Sequence, residues 1–323
     1  MLNLFQHLKY YMQLSKRHLA LLSLAIAYII WGATAPIFKW SMEEITPYTL
    51  GFLRFMIAAL IILPFAYKKI AIKKEDIPKF LMLATIGITL SISLFLTGLQ
   101  LTTSINAPIL QSITPLLMII GSVWYLHEKL SKKVIIGGTI SLIGVLLIVL
   151  EPIFVSGPDG SIPGNILILL AVAGGVIYTI LLKKYHLPYP AVTIVFWTFL
   201  FGGLLFLPAF LTELIFLQPF SQFDVKGVIG VGYGALFSSA IAFFLYAYSL
   251  EYLTASEVSI FIYIEPVITV LVAIPLLHET INSTYILGTF IVFLGIFIAE
   301  VHRHHHHHHH IYVIKHKEKE TQK

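Results

Sequence analysis

The sequence predicts an all-α polytopic membrane protein whose ten transmembrane helices form two inverted repeats of five helices each. Three observations lead to this fold class. Of the 323 residues, 58% are hydrophobic and only 11% are charged, whereas a soluble domain carries about 25% charged residues. Ten apolar stretches approach or exceed the length that a membrane-spanning helix needs. One sequence pattern also occurs in both halves of the chain, which indicates an internal duplication.

Each apolar stretch is predicted to form one membrane-spanning helix. A helix needs about 20 residues to cross roughly 30 Å of hydrocarbon, and it satisfies every backbone hydrogen bond within the span. The predicted spans, of which the fifth is short, are residues 19–40, 48–67, 79–98, 104–126, 134–150, 163–183, 190–211, 227–247, 254–277 and 284–301. The basic segment 1–18 is expected to lie on the cytoplasmic surface. The His-rich, charged tail 302–323 is expected to extend into the cytoplasm.

The positions of lysine and arginine support this number of spans and set the orientation. With both termini in the cytoplasm, 18 of the 21 basic residues fall on cytoplasmic segments, as the positive-inside rule requires. Only Lys39, Arg54 and Lys226 fall elsewhere. The net charge of +5 therefore comes from residues that flank membrane spans, and it does not indicate binding to nucleic acid.

A motif that starts with proline and ends near Leu-His-Glu occurs twice. It is PLLMIIGSVWYLHEK from Pro115 to Lys129 and PVITVLVAIPLLHET from Pro266 to Thr280, an offset of 151 residues. Nearer the N-terminus the offset is about 143 residues, which fits loops of unequal length in the two repeats. The repeats are predicted to cover 19–150 and 163–301, joined by an outer linker at 151–162. Because five is an odd number, the second repeat enters the membrane from the opposite side.

These features resemble the drug/metabolite transporter superfamily, and most closely its EamA-type bacterial members. The resemblance is carried by the repeated proline motif, by YIIWGATAPIFKWS in the first span and by LGFLRFMIAALIILP in the second. It extends from about Leu19 to Glu300, but Trp197 stands where the first repeat has Arg54. The resemblance implies a carrier of amino acids, drugs or other small metabolites in a bacterial inner membrane, often directed outward.

Glu265 is the first candidate for substrate binding or proton coupling. It lies near mid-membrane, where a carboxylate costs about 2.5 kcal/mol or more unless it is protonated, paired or hydrated. Pro266 follows it, frees a backbone carbonyl and is a predicted hinge. Glu257 can face the same cavity, although a carboxylate at headgroup level is an equal alternative there. A protonated, structural Glu265 is the alternative to a functional one.

The fourth span carries polar residues at positions equivalent to those of the ninth. They are Asn106, Gln111 and Thr114, ahead of a second predicted hinge at Pro115. Asn106 and Thr114 are equivalent to the two glutamates of the ninth span. These positions predict two walls of one pocket, although polar side chains also hold helices together at about 0.6 kcal/mol each.

Three further side chains within the spans are candidates for a binding site. Arg54 either faces a carboxylate or an anionic group in the interior or extends to lipid phosphate. Trp31 and Tyr263 are candidates to line an amphipathic cavity or to bind a cation on the ring face, while packing at the interface is the ordinary role of membrane aromatics. Lys39 is expected to pair with Glu43, four residues along the same helix.

Histidine and glutamate also occur together outside the spans. Glu128 and Glu279, each preceded by histidine, are predicted to fix the turn between two helices, and gating is the alternative. They are expected on opposite membrane faces, so they do not form one metal or catalytic pair. The tract His304–His310 suits Zn²⁺ or Ni²⁺, and a purification tag or low-complexity drift is also compatible with it. Metal transport is not expected.

Together these features predict a secondary transporter rather than an enzyme, exporting amino acids or drug-like compounds by alternating access. Its expected partners are a small-molecule substrate, the lipid bilayer and a proton gradient, with no cofactor and no nucleic acid. A monomer and a homodimer are both compatible with the sequence. An intramembrane lipid-modifying enzyme would need clustered acid, base or metal ligands at one depth. A non-transporting scaffold would not need a polar, proline-broken midplane. Both stay as alternatives.

Overall fold

Helices account for all of the regular structure in the part of the chain that the structure describes. This part, in the computed structural model, comprises residues 2–126, 132–155, 161–185, 187–217, 224–253, 258 and 261–300. The α-helices are α1 (Leu2–Ser41), α2 (Pro47–Ala66), α3 (Ile77–Leu83), α4 (Ser91–Leu101), α5 (Asn106–Gln111), α6 (Thr114–Leu126), α7 (Lys132–Val155), α8 (Ser161–Tyr185), α9 (Ala191–Phe216), α10 (Val225–Gly232), α11 (Ala242–Tyr252), α12 (Ile264–Leu277) and α13 (Ser283–Glu300). Short 3₁₀ turns occur at Tyr67–Lys69, Lys74–Asp76 and Phe261–Tyr263, and π-helical segments occur at Ala84–Leu90 and Tyr233–Ile241.

Six helical segments in the described residues are long and apolar enough to cross a membrane. They are Lys16–Ser41, Pro47–Lys69, Lys74–Leu101, Ile162–Leu182, Ala191–Phe216 and Val225–Leu250, and three shorter apolar helices lie at Ile135–Ile148, Phe261–Leu277 and Ser283–Gly295. The fourth predicted span coincides with α5 and α6, which Ser112 and Ile113 separate. Length and composition therefore fit a polytopic, multi-pass membrane protein.

Interruptions of the helices occur at equivalent places in the two halves. The π-helical segment Ala84–Leu90 joins α3 to α4, and Tyr233–Ile241 joins α10 to α11. A second type of interruption precedes each predicted hinge proline, because proline lacks the N–H that would continue the helix. The break between α5 and α6 lies just before Pro115, and the 3₁₀ turn before α12 lies just before Pro266.

Contacts between helix termini define one end of the bundle, which we call the Ser41 end. Lys226 pairs there with Glu43, so the end of α1 lies beside the start of α10. Thr102 donates from Oγ1 to Asn165 Oδ1 at 2.6 Å, so the end of α4 lies beside the start of α8. Four helix termini thus meet at this end.

The opposite end of the bundle, which we call the Tyr185 end, is held by a separate set of hydrogen bonds. Trp197 Nε1 donates to Ile70 O at 2.8 Å, which joins the start of α9 to the end of α2. Tyr189 Oη donates to Asp76 Oδ2 at 2.7 Å, which joins the α8–α9 connection to the start of α3.

Equivalent helices of the two halves run in opposite directions between these ends. Helix α1 runs toward the Ser41 end and α8 runs away from it. Helix α2 runs toward the Tyr185 end and α9 runs away from it. The third pair, α3–α4 and α10–α11, shows the same reversal.

A buried carboxylate fixes the start of α2 at the Ser41 end. Glu213 of α9 is 4% exposed. It accepts hydrogen bonds from Thr46 Oγ1 at 2.5 Å, Tyr48 N at 3.2 Å, Thr49 N at 2.6 Å and Thr49 Oγ1 at 3.0 Å. The carboxylate therefore satisfies amides at a helix N-terminus that have no partner within the helix.

Replacing this carboxylate is expected to lower stability. Because hydrogen bonds to a charged group contribute about 1.5–3 kcal/mol each, Glu213→Gln should lower the free energy of unfolding by about 3 kcal/mol. The measurement is the thermal unfolding midpoint of purified protein in detergent. Glu75→Gln is the control, because the Glu75 side chain is 71% exposed. Equal midpoints for the two variants would contradict the role given to Glu213.

Candidate functional site

A cavity of about 230 Å³ lies among the helices, away from both ends of the bundle. Residues of α1, α2, α4, α5, α6, α8, α11 and α12 and of both π-helical segments form its wall. Five of the residues singled out from the sequence lie on this wall: Glu265, Trp31, Arg54, Gln111 and Thr114. Broken and irregular helices therefore surround the cavity, as they do where substrates bind in many transporters.

The wall combines equivalent positions of the two repeats. At an offset of 151 residues the pairs are Gly87 with Ser238, Ile92 with Phe243, Phe95 with Tyr246, Gln111 with Ile262 and Thr114 with Glu265. At the shorter offset of about 143 residues, Tyr28 pairs with Ala171 and Ala35 with Tyr178. Both members of every pair lie on the wall. The positions are equivalent but the side chains differ in chemistry, since a tyrosine in one repeat corresponds to an alanine in the other.

Glu265 places a carboxyl group on the cavity wall. It is 4% exposed, and its side chain forms no hydrogen bond or ion pair with the described residues. Close contact with α1 fixes its backbone. Thr269 Oγ1 donates to Gly32 O at 2.5 Å, and a Cβ on Gly32 would lie 3.0 Å from Glu265 O. A carboxylate in this setting is stabilised only by a proton, a cation or water.

Arg54 lies on another part of the wall and is held by serines and phenylalanines. It is 2% exposed, and its Nε donates to Ser239 Oγ at 3.0 Å and its Nη2 to Ser238 Oγ at 3.4 Å. The guanidinium carbon lies 4.9 Å from the ring centroid of Phe38 and 4.5 Å from that of Phe55. Arg54 thus points into the bundle and not to lipid headgroups, and among the described residues it contacts no carboxylate.

Aromatic rings form one side of the cavity around Trp31. Its indole Nε1 donates to Ser238 O at 3.0 Å, across to the π-helical segment. The rings of Tyr28, Phe243 and Tyr246 each lie 5.3 Å from the Trp31 ring, centroid to centroid. This side presents apolar ring faces and edges, which suit an apolar or aromatic group or a cation.

Two of the sequence candidates lie away from this cavity. Asn106 Nδ2 donates to Thr102 Oγ1 at 3.2 Å and to Asn165 Oδ1 at 3.4 Å, within a buried polar cluster at the Ser41 end. Tyr263 packs against Phe293 of α13, with ring centroids 5.6 Å apart. Asn106 therefore holds helix termini together rather than forming a wall of the cavity.

Several candidates fall outside the described residues. They are Glu257, Glu128 and the tract His304–His310. Within the described ranges, no group of three or more histidine, aspartate or glutamate residues is placed to hold a metal ion.

The connection between α4 and α5 is held at the Ser41 end by two charged residues. Glu279 Oε1 accepts from Ser104 N at 2.7 Å, and Glu279 Oε2 accepts from Ser104 Oγ and Ile105 N, each at 3.0 Å. Lys39 Nζ donates to the carbonyl oxygens of Leu99 and Thr102 at the end of α4. Each charge thus meets helix-terminal groups of opposite polarity. We call these contacts the Lys39–Glu279 clamp.

The clamp corrects one expectation and supports another. Lys39 was expected to pair with Glu43. It donates instead to carbonyl oxygens at the end of α4, because these acceptors lie beside it. Glu43 pairs with Lys226. His278 adopts a left-handed conformation with φ of 54° at the C-terminus of α12. This conformation ends a helix and turns the chain, so Glu279 follows directly from the turn.

The serine residues of the site gave no clear signal in the sequence. Ser238 accepts from both Arg54 and Thr34, the latter at 3.1 Å, and lies in a π-helical segment. Gly87 is its equivalent, so a search for shared polar residues passes over this position. The remaining signal was the π-helical context, since such segments are frequent at functional sites, but a single sequence does not disclose it.

Comparison with known proteins gives a consistent result. The model of the EamA-like transporter family matches residues 18–150 and again 162–300. A relative from Bacillus subtilis (strain 168), named uncharacterized transporter YetK, is 33% identical over 88% of this chain and 87% of that protein. An uncharacterized transporter of Archaeoglobus fulgidus is 25% identical over 88% of this chain and 97% of that protein.

A solved crystal structure shares the fold. It has a TM-score of 0.63 with 15% sequence identity and covers 88% of this chain and 96% of that one. The family and the names of these relatives indicate a membrane transporter of small molecules rather than an enzyme. On these grounds the chain belongs to the EamA-like transporter family.

Proposed function

We propose that the protein is a ten-helix secondary transporter that exports small metabolites across the inner membrane of a bacterium by alternating access. The observation that carries this proposal is the cavity wall built from equivalent positions of two oppositely directed halves. Such a wall can open first to one face and then to the other when the halves exchange roles. The two matches of the family model support the two repeats. Ten spans put both termini on the same side, and the positions of lysine and arginine favour the cytoplasm for that side.

The charges on the wall suit a zwitterionic or cationic amphipathic solute. Glu265 offers a carboxyl group to an ammonium group, and Arg54 offers a guanidinium to a carboxylate. The rings around Trp31 are suited to the apolar part of the same solute. Amino acids and amine-bearing drug-like compounds have this combination of groups. The wall is formed within one chain, so a monomer is sufficient for the pathway.

The position of Glu265 supports proton coupling. A proton and a substrate ammonium group are alternative ways to offset the cost of a carboxylate in a membrane interior. If both bind at this one group, each excludes the other, and an inward proton gradient then drives the solute outward. Thr114, the equivalent residue in the first repeat, donates from Oγ1 to Gln111 O at 2.6 Å. A protonated Glu265 has the same capacity to donate.

The test is uptake by the purified protein in liposomes. A panel of radiolabelled amino acids and aromatic amines is offered with and without an imposed pH gradient. We expect the wild-type protein to accumulate at least one solute against its concentration gradient. Glu265→Gln should abolish accumulation driven by the pH gradient, because the amide cannot exchange a proton. Glu75→Gln, an exposed change at the Tyr185 end, should leave it intact.

Two outcomes would count against the proposal. No movement of any solute by a correctly folded wild-type protein would overturn the assignment as a carrier of these compounds. Full pH-driven accumulation by Glu265→Gln would overturn proton coupling through Glu265 and leave the carrier function standing.

A further inference from the structure

A second cavity, of about 170 Å³, adjoins the central cavity at the Tyr185 end of the bundle. Its wall comes from the last turns of α8, the α8–α9 connection, the first turns of α9 and one side of α11. Tyr178, Phe243 and Tyr246 line both cavities. These three rings therefore stand between the second cavity and the residues around Glu265.

The wall of the second cavity is mostly apolar. Leu182, Ile194, Ala247 and Leu250 contribute to it along with the three shared rings. Tyr189 also lies on the wall, but its hydroxyl is occupied, because it donates to Asp76 and accepts from the Lys73 amide at 2.9 Å. The cavity thus offers apolar and aromatic surface and suits the apolar part of an amphipathic solute rather than an ion.

The equivalent place in the first repeat, at the Ser41 end, is filled. Leu96 and Leu99, the equivalents of Ala247 and Leu250, are 0% exposed. Lys39, the equivalent of Leu182, lies at this position, and its Nζ donates to the Leu99 carbonyl oxygen at 3.2 Å. One end of the bundle is therefore packed and clamped, while the corresponding part of the other end is hollow.

We propose that the second cavity is an antechamber that receives the transported solute at the Tyr185 end, before the solute enters the central cavity. This inference rests on the proposed function and adds a route and a second site to it. The ligand class is an amphipathic solute with an aromatic or alkyl group, which the apolar wall accepts first. Passage inward requires the rings of Tyr178, Phe243 and Tyr246 to move aside. In the topology given above, the Tyr185 end faces the cytoplasm, so the antechamber collects solute for export.

Cysteine labelling tests this directly, because the sequence contains no cysteine. Ala247→Cys places a thiol in the antechamber, and Leu96→Cys places one at the equivalent, packed position. A small, charged methanethiosulfonate reagent is applied to the purified protein in detergent, where it reaches both ends of the bundle. We expect Ala247→Cys to react at least about tenfold faster, because an alternative conformation that opens the Leu96 position is populated at about 10% or less.

Protection by a solute provides the second readout. A solute that the wild-type protein transports should slow the labelling of Ala247→Cys, and completed labelling should remove most transport. Leu250→Cys, on the same wall, repeats the measurement if Ala247→Cys fails to fold. Equal labelling of Ala247→Cys and Leu96→Cys in a protein that transports would overturn the antechamber. Fast labelling of Ala247→Cys in a protein that moves no solute would instead overturn the transport function on which the inference rests.

Discussion

Gly175→Leu should abolish transport by a protein that still folds. Gly175 lies on the wall of the central cavity, and a Cβ built on it meets no atom within 4 Å. A leucine side chain at this position therefore enters empty space and takes up room that the solute needs. The helix itself gains from the change, since glycine is about 0.8–1.0 kcal/mol less favourable than alanine in a helix interior and leucine is close to alanine.

The measurement compares uptake into liposomes with thermal stability in detergent. Gly232→Leu is the matched control, because Gly232 also has open space around its Cβ position but is exposed on α10, away from the cavities described. Gly175→Leu should lose nearly all uptake with an unchanged or higher unfolding midpoint, and Gly232→Leu should keep its uptake. Undiminished uptake by Gly175→Leu would show that the solute does not pass through this cavity.

The same glycine shows where prediction from the sequence reaches its limit. Gly32 and Gly175 are equivalent at the offset of about 143 residues, so the sequence does not distinguish the two positions. In the structure they differ, because a Cβ on Gly32 would lie 2.7 Å from Ile268 Cβ while Gly175 faces open space. In any one conformation of such a transporter, equivalent positions of the two repeats make different contacts. Both conformations share one sequence. The sequence therefore does not show which contacts form in only one of the two conformations.

The candidate site was predicted best where a polar residue lies in an apolar span far from its ends. Glu265, Gln111 and Thr114 met this condition, and all three line the cavity. Asn106 lies near the Ser41 end, where helix-terminal groups and Asn165 compete for its side chain. Polarity alone does not separate these two situations. Ser238 was missed because its chemistry depends on a π-helical segment, which no residue pattern marks.

Breaking the Lys39–Glu279 clamp should open the Ser41 end. Glu279 accepts three hydrogen bonds from Ser104 and Ile105, and those bonds join the turn after α12 to the α4–α5 connection. Hydrogen bonds to a charged group contribute about 1.5–3 kcal/mol each. Removing the charge with Glu279→Gln should thus shift the conformational equilibrium by about tenfold or more, since about 1.4 kcal/mol corresponds to a factor of ten.

Labelling of Leu96→Cys reports this shift, because Leu96 is buried only while the Ser41 end is packed. With Glu279→Gln added, its rate of reaction with an impermeant reagent applied from the Ser41 side should rise about tenfold or more. Glu43→Gln in place of Glu279→Gln is the control, since the Glu43 side chain lies at the same end but is 52% exposed and pairs with Lys226. An unchanged rate in Glu279→Gln would mean that apolar packing around Leu96 and Leu99 keeps this end shut without the carboxylate. The charge at Glu279 would then orient the turn after α12 and contribute nothing to gating.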